Sequence, residues 1–150
     1  MNGVVLDANV ALDWFLESDV GDIYSLALEE LAEQGKTRFY VPEHFQIEVS
    51  RILIIRGRKG KTPRGEKWLG SALLSLDAAP IDTYAQGINF DSMGKLSKAY
   101  GLDAPDVPYF HLAREMAVPI ATPDKAIIDA CRAWNVERWT PQFAAGKESP

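Results

Sequence analysis

The sequence offers little for covalent cross-linking, soft-metal binding or membrane insertion. Cys131 is the single cysteine among 150 residues, which excludes an internal disulfide and a cysteine-based zinc cluster. The two histidines, His44 and His111, lack the spacing of paired metal ligands. No apolar run approaches the roughly 20 residues of a membrane helix, and no basic stretch followed by an apolar stretch marks a signal peptide. We therefore expect a cytoplasmic protein with no membrane segment.

Positive charge is scarce overall but concentrated in one segment. The chain has 16 Lys and Arg against 21 Asp and Glu, which excludes a protein-wide basic footprint for nucleic acid. Residues 51–67 nevertheless contain seven bases and one acid. Such a segment can bind a phosphate backbone locally, although a solvated helix end and loop would have the same composition. Five of its bases are candidate backbone contacts: Arg51, Arg56, Arg58, Lys59 and Lys61.

Hydrophobic patterning predicts one helix-rich α/β domain. The length suits a single domain with a full core, and short apolar runs alternate with segments of helical periodicity, which is typical of a parallel sheet. We assign the domain to residues 1–143 and a frayed tail to 144–150. The predicted strands are 4–6, 38–41 and 118–121, with 136–139 as a last strand and 79–82 as a strand or linker. The predicted helices are 8–16, 20–34, 43–56, 68–76, 84–100, 106–117 and 125–134.

Four acidic residues stand at element junctions or on apolar helix faces. Asp7 ends the first strand and Asp124 follows residues 120–121 by three positions. The carboxyl ends of parallel strands share one edge, where ligands bind. Glu48 lies in the apolar stripe of its helix, and Asp106 precedes an apolar helix face. Because converging carboxylates repel one another unless a hard cation separates them, the pattern indicates Mg²⁺ or Mn²⁺ binding.

Each of these acids also has a purely structural explanation. Glu48 could be an edge residue that is paired with a cation, and Arg51 is three positions further along the same helix. Asp is a favoured N-cap and suits the helix dipole. Four aspartates precede or flank predicted helix starts: Asp7, Asp103, Asp106 and Asp124.

Three segments resemble, in order, the motifs of PIN domains, especially the toxin nucleases of VapC type. VVLDANVALDWFLESD resembles the family's opening strand and helix. VPEHFQIEVSRIL is similar to the second acidic motif, with Glu48 as its acid. GLDAPDVPYFHLAREMAVPIATPDKAI resembles the third and fourth motifs together, with Asp106 as the third acid and Thr122-Pro123-Asp124 as the closing motif. The resemblance extends over about residues 3–140.

This resemblance implies a three-layer α/β/α fold around a short-stranded, mainly parallel sheet, and RNA cleavage that depends on one or two Mg²⁺ or Mn²⁺ ions. Four acids correspond to the family's catalytic cluster: Asp7, Glu48, Asp106 and Asp124. Of these, Asp7, Asp106 and Asp124 are the expected metal ligands, and Glu48 would bind the metal or orient water. Asn9 and Thr122 match the small polar positions beside the acids. The basic segment at residues 51–67 would contact the RNA backbone.

The third motif departs from the family's usual pattern. Pro105 stands where the family often has Tyr, and Pro105 and Pro108 bracket Asp106. Proline is tolerated in a first helical turn, so Asp106 can still begin its helix. Asp103 occupies a position where the family often has Ser or Thr, and it competes with Asp106 as the third acid. We expect Asp106, because its spacing to Tyr109 fits the motif.

The resemblance also implies protein partners. Toxins of this family are usually inhibited by a cognate antitoxin, whose C-terminal segment wraps the toxin and places a basic side chain in the acidic pocket. A homodimer is also typical. Four tryptophans are candidates for such contacts, although Trp is more often a core residue: Trp14, Trp68, Trp134 and Trp139.

Other functions remain open at the level of sequence. A PIN-like fold can bind RNA or a protein partner without cutting. A strand-end aspartate also occurs in phosphoaspartate enzymes and receiver domains, but the phosphatases have a second Asp two residues on, where this chain has Asn9. Gly60-Lys61-Thr62 looks like the end of a phosphate-binding loop, but position 55, where that motif needs glycine, is Ile55.

Overall fold

The computed structural model describes residues 2–16, 22–58 and 66–141. Strands and helices alternate along these ranges, and no helix within them has the length and apolar character of a membrane span. The candidate contacts Lys59 and Lys61 and the predicted tail at 144–150 lie outside the described residues. The elements are β1 (Asn2–Leu6), α1 (Ala8–Asp13), α2 (Asp22–Glu33), β2 (Thr37–Pro42), α3 (Phe45–Arg58), α4 (Glu66–Ala78), β3 (Ile81–Tyr84), α5 (Phe90–Tyr100), α6 (Val107–Met116), β4 (Ile120–Ala121) and α7 (Lys125–Trp134).

The four strands form one parallel sheet in the order β3-β2-β1-β4. Val4 of β1 pairs with Phe39 of β2, and Val5 pairs with Ile120 of β4. Residues 4–6 of β1 are all apolar and buried because both faces of this inner strand are covered, as expected for a parallel sheet. The chain moves outward from β1 through β2 to β3 and then returns to the other side of β1. The strand order therefore reverses between β1 and β4.

Helices cover both faces of this sheet and give the predicted α/β/α fold. Helices α1 to α4 connect β1, β2 and β3, and they contact one another in the pairs α1–α2, α1–α3 and α3–α4. Helices α5 and α6 connect β3 to β4, and α6 packs on β1, β2, β4 and α7. Right-handed crossovers in opposite directions along the sheet place these two groups on opposite faces. The predicted fold class is confirmed.

The core lies between the sheet and the two helical layers. Its largest fully buried side chains come from both layers and the strands: Leu6, Leu28, Phe39, Leu53, Tyr109, Phe110, Ile120 and Ile127. Of the four tryptophans, Trp139 belongs to this core, and Trp14 and Trp68 pack against it. Trp134 is 39% exposed. The expectation that tryptophan is mainly a core residue is confirmed for three of the four.

The predicted helix at 84–100 is wrong at its start. Tyr84 is the last residue of β3, which settles the choice between strand and linker before it, and α5 begins at Phe90. Two features delay the helix. Gly87 has a positive φ of 64°, and Asn89 forms a capping box in which its side chain accepts from the backbone N–H of Ser92 at 2.9 Å.

The predicted last strand at 136–139 is reduced to a single bridge. Ile120 forms a parallel bridge with Arg138, and the backbone N–H of Trp139 donates to the carbonyl of Ile120 at 2.9 Å. The segment therefore lies beside β4 as predicted, but pairing does not extend far enough to make a strand of it. It extends the sheet just where β4 itself is only two residues long.

Candidate active site

One edge of the sheet gathers polar residues from the ends of all four strands. Asp7 follows β1 directly, and Thr122 and Asp124 follow β4. His44 follows β2, and Gln86 follows β3. Because the strand order reverses between β1 and β4, Asp7 and the Thr122–Asp124 segment flank the position where open α/β sheets bind ligands.

Asp7 is the most buried acid at this edge, with 4% of its surface exposed. The hydroxyl of Thr122 donates to Asp7 Oδ2 at 2.5 Å, and the same Thr122 oxygen accepts from the backbone N–H of Asp124 at 3.0 Å. Since the Asp124 N–H occupies a lone pair of the hydroxyl, the Thr122 proton is directed at Asp7. Thr122 therefore fixes the orientation of the Asp7 carboxylate, and both groups lie at the β1–β4 junction.

Burial raises the pKa of Asp7 to about 6. The Thr122 hydroxyl and the backbone N–H of Asn9 oppose this rise because they favour the ionised carboxylate. The negative charges of Asp106 and Asp124 raise the pKa further. Asp7 is thus a carboxylate that lacks a compensating positive charge, and two of the other predicted acids are close enough to disfavour its ionisation.

Asp106 is half-buried at the start of α6. It occupies the N-cap position, but its side chain makes no capping hydrogen bond. Burial raises its pKa to about 6, with further increases from the charges of Asp124, Asp103 and Glu48, whereas His44 lowers it. The structure therefore brings the four acids predicted from sequence into one electrostatically coupled group, which we call the acidic cluster: Asp7, Glu48, Asp106 and Asp124.

Capping explains Asp124 better than it explains Asp106. Asp124 Oδ1 accepts from the backbone N–H groups of Ala126 at 2.9 Å and Ile127 at 3.2 Å, so this carboxylate is the N-cap of α7. The structural explanation considered for Asp124 is thus correct. It does not conflict with a second role, because these bonds use one carboxylate oxygen only.

Glu48 reaches the acidic cluster from the first turn of α3. The hydroxyl of Tyr109 donates to Glu48 Oε1 at 2.6 Å. Tyr109 is 1% exposed, and burial together with this bond raises its pKa well above the ordinary value, so it stays protonated and acts as the donor. The ion pair considered between Glu48 and Arg51 is not formed: Arg51 is exposed, and the partner of Glu48 is Tyr109.

His44 and Tyr109 are the two residues of this region that sequence reasoning did not assign to the site. The Nε2–H of His44 donates to the carbonyl oxygen of Pro105 at 3.0 Å, and its ring meets the Tyr109 ring edge-on at a centroid distance of 5.0 Å. A signal existed in their spacing, since His44 is four residues before Glu48 and Tyr109 is three residues after Asp106. These intervals place helical neighbours on one face.

The accompanying positions Asn9 and Asp103 are both exposed. The Asp103 carbonyl accepts from the backbone N–H of Asp106 at 2.9 Å, which forms the turn that leads into α6. The charge of Asp103 acts on Asp106, whereas Asp106 is the one that acts on Asp7. Of the two competing aspartates, Asp106 is therefore the one coupled directly to the strand-end acid.

Three described bases of residues 51–67 follow α3 away from the acidic cluster, and a fourth, Lys67, lies in α4. Arg51, Arg56 and Arg58 are exposed, and the last two lie in the final turn of α3. At 1.5 Å per residue, Arg56 and Arg58 are about 12–15 Å along the helix axis from Glu48. The exposed positive charges thus begin beside the acids and extend outward from them.

The donors in the acidic cluster are carboxylate oxygens, which suit hard cations such as Mg²⁺ or Mn²⁺. Mutual repulsion contributes to the raised pKa values of Asp7 and Asp106, and a divalent cation would remove that repulsion. Within the described ranges, no group of three or more Asp, Glu, His or Cys side chains already has the geometry of a metal site. The donor chemistry of the acidic cluster, rather than its present spacing, is what fits a hard divalent cation.

Comparisons with known proteins agree with this architecture. The PIN domain family model matches residues 4–133, a range that includes the whole acidic cluster. The crystal structure of PAE2754 from Pyrobaculum aerophilum is similar with a TM-score of 0.56 and 16% sequence identity, over 86% of this chain and 84% of that chain. At this identity the likeness concerns the fold alone. No curated protein matches the sequence. Because the family match covers most of its length, the chain belongs to the PIN domain family.

Proposed function

We propose that this protein is a metal-dependent endoribonuclease whose active centre is the acidic cluster. PIN domains are generally metal-dependent nucleases. The observation that carries the proposal is the buried carboxylate of Asp7 at the strand edge, with its pKa raised by burial and by neighbouring acids. Several carboxylates held together in this way, with only His44 among the described residues opposing their repulsion, make a site suited to a cation.

In the proposed reaction, three acids bind the cation and the fourth, Glu48, acts on the cation or on the attacking water. A bound Mg²⁺ or Mn²⁺, as one ion or two, would lower the pKa of water and stabilise charge on the phosphoryl oxygens. Asp7, Asp106 and Asp124 would bind the cation, with Thr122 orienting Asp7 through its hydroxyl. Glu48 would bind the cation or orient the attacking water and accept its proton. The water oxygen would attack phosphorus as the P–O3′ bond breaks, and the 3′-oxygen would leave as a hydroxyl by taking a proton from solvent, which gives a 5′-phosphate and a 3′-hydroxyl.

RNA binding is proposed for the bases of residues 51–67. The exposed positions of Arg51, Arg56 and Arg58 on α3 support contacts to phosphates on one side of the scissile bond. Lys59 and Lys61 continue the same run of positive charge in the sequence. Contacts of this kind position the backbone without reading bases, so we expect affinity to fall with salt and to depend little on sequence.

The biological role that we propose is that of a VapC-like toxin in a toxin–antitoxin pair, acting in the cytoplasm as a homodimer until an antitoxin inhibits it. The support is the resemblance of the three motif segments in sequence. A groove of about 380 Å³ between α3, α4 and β3 is a surface on which a partner segment could lie. Growth arrest on expression, relieved by Asp7→Asn, would support the toxin role, and light scattering would give the oligomeric state.

The nuclease proposal is tested by cleavage of a mixed cellular RNA pool. Wild-type protein is incubated with Mg²⁺, with Mn²⁺ or with chelator, beside Asp7→Asn and a matched surface control, Asp91→Asn. Asp91 is an exposed aspartate of α5 that is paired with Lys95 at 2.9 Å. We expect cleavage that requires metal, disappears in Asp7→Asn and persists in Asp91→Asn. A single-stranded DNA arm tests the preference for RNA.

Two outcomes would contradict this proposal. Cleavage that persists in chelator and in Asp7→Asn would mean that the acidic cluster is not the active centre. RNA binding by folded protein without turnover in any arm would instead favour a PIN-like module that binds RNA without cutting it.

A further inference from the structure

Two hydrogen bonds link the start of α3, with the turn before it, to the start of α6, with the turn before it, beside the acidic cluster. The first links His44 Nε2 to the Pro105 carbonyl at 3.0 Å, and the second links the Tyr109 hydroxyl to Glu48 Oε1 at 2.6 Å. The partners of each contact are separated by 61 residues in the chain. Because His44 is four residues before Glu48 and Pro105 is four residues before Tyr109, the two bonds hold the N-terminal ends of α3 and α6 against each other.

The short bond at Glu48 occupies one carboxylate oxygen and leaves the other available. A hydroxyl that donates to an ionised carboxylate makes a strong hydrogen bond with a defined direction. Tyr109 lies in the core next to Phe110, so its ring cannot move away from Glu48 without disturbing the packing of α6. Among the described residues, Glu48 Oε2 has no hydrogen-bond donor, so it is the oxygen free to face a ligand.

We propose that Tyr109 is the positioning residue for Glu48: its hydroxyl holds Oε1, so that Glu48 offers only Oε2 to a divalent cation or to the attacking water. This inference rests on the proposed nuclease function. If Tyr109 served only to pack the core, its ring would be required and its hydroxyl would not. Removal of a side chain that hydrogen-bonds to a metal-binding side chain typically lowers metal affinity or activity by about 10–100-fold.

Tyr100 provides a matched control for the loss of one buried hydroxyl. It is a buried tyrosine that contacts the same helix, with its ring 4.7 Å from the Phe110 ring. Its hydroxyl lies 2.8 Å from His111 Nδ1 and accepts from Arg114 at 3.1 Å, so it bonds to basic side chains where Tyr109 bonds to an acid. Tyr100→Phe and Tyr109→Phe therefore remove the same atom from similar surroundings.

The test measures Mn²⁺ binding by titration calorimetry, kcat and KM for RNA, and chemical unfolding for both variants. We expect Tyr109→Phe to raise the Mn²⁺ Kd about 10-fold or more and to lower kcat, with KM for RNA nearly unchanged. Tyr100→Phe should leave Kd and kcat at wild-type values. In a Glu48→Ala background, Tyr109→Phe should cause no further loss, because its effect is exerted through Glu48.

The proposal fails if Tyr109→Phe matches Tyr100→Phe in Kd and kcat while both bind Mn²⁺ normally, and in that case the nuclease function stands. It also fails if Tyr109→Phe weakens Mn²⁺ binding further in the Glu48→Ala background. If wild-type protein binds no Mn²⁺, or binds it equally well after Asp7→Asn, the metal-dependent function itself is contradicted and the role of Tyr109 with it.

Discussion

Two groups of acidic side chains in this protein are treated in opposite ways by the fold. On the sheet, Asp82 of β3 forms a two-point ion pair with Arg38 of β2, at 2.7 and 2.8 Å, and this partner lowers the pKa of Asp82. At the carboxyl edge, burial and the charges of neighbouring acids raise the pKa values of Asp7 and Asp106 to about 6, although His44 partly opposes the rise at Asp106. The acid that lies between two paired strands thus has a basic partner, whereas several acids lie close together where the strands end.

This difference is what supports the proposal that the edge is the functional region. The hydrogen bonds around Asp7 orient its carboxylate but supply no positive charge, so they offset the cost of its burial only in part. An exposed ion pair such as Arg38–Asp82 contributes little to stability and needs no ligand. Under the proposed function, a bound cation would balance the negative charge of the acidic cluster.

The largest expected effect separates the two candidate third acids. Asp106→Asn should lower the rate of RNA cleavage by at least about 100-fold, since loss of even a group that orients a metal ligand costs about 10–100-fold and Asp106 is proposed as a ligand itself. Asp103→Asn should stay within a few-fold of wild type, because Asp103 is exposed and its carbonyl, not its carboxylate, forms the turn before α6. Steady-state cleavage at saturating Mn²⁺ measures both. The reverse ranking would make Asp103 the third acid.

The second prediction concerns stability and pH in metal-free protein. The pKa of Asp7 is about 6 in the folded state against 3.8 as the ordinary value, so the folded state binds more protons between these pH values. The free energy of unfolding should therefore fall as pH rises from about 4 to about 6. Asp7→Asn should remove the part of this loss that comes from Asp7, leaving the part that comes from Asp106, and should stabilise the protein at pH 7 by about 1–3 kcal/mol.

Chemical denaturation of wild type and Asp7→Asn in chelator, at several pH values, measures this effect. Asparagine can still accept from the Thr122 hydroxyl, so the substitution preserves that bond. A variant that is less stable than wild type at pH 7 and equal to it at pH 4 would show that the Asp7 carboxylate is stabilising, contrary to this account.

The smallest effect is expected for the paired acid, and its sign is opposite. Arg38 lowers the pKa of Asp82, so its stabilising contribution is present above the ordinary pKa of an aspartate and is lost as pH falls through the lowered value. Asp82→Asn should therefore destabilise the protein slightly at pH 7 and not at low pH, with RNA cleavage unchanged. A stabilising effect of Asp82→Asn at pH 7 would remove the contrast between the two groups of acids.

Sequence reasoning predicted the fold and the positions of the acids because both depend on local pattern. Asp7 and Asp124 follow apolar strands, and parallel pairing alone places such residues at one edge. The coupling of Asp106 to this edge follows from the packing of α6 on β1 and β2. The amino-acid pattern could not distinguish a functional acid from one that caps a helix. Asp124 shows why, because it is an N-cap and also a member of the acidic cluster.

The parts that sequence reasoning missed depend on contacts between distant segments. The Tyr109–Glu48 bond joins residues 61 positions apart, which helical spacing cannot predict. The partner that helical spacing indicated for Glu48 was Arg51. The late start of α5 depends on Gly87 and the Asn89 capping box, which interrupt an otherwise continuous apolar period. Pairing of side chains across the fold and local backbone geometry therefore had to come from the structure.

The central claim is that the unbalanced acids at the strand edge form a cation site, and Mn²⁺ binding to wild type, Asp7→Asn and Asp82→Asn tests it most directly. Titration calorimetry at pH 7 compares an unpaired buried aspartate with a paired one in the same fold. We predict that Asp82→Asn binds Mn²⁺ with the wild-type Kd and that Asp7→Asn loses binding. Equal Mn²⁺ binding by all three proteins, or no binding by wild type, would contradict the account.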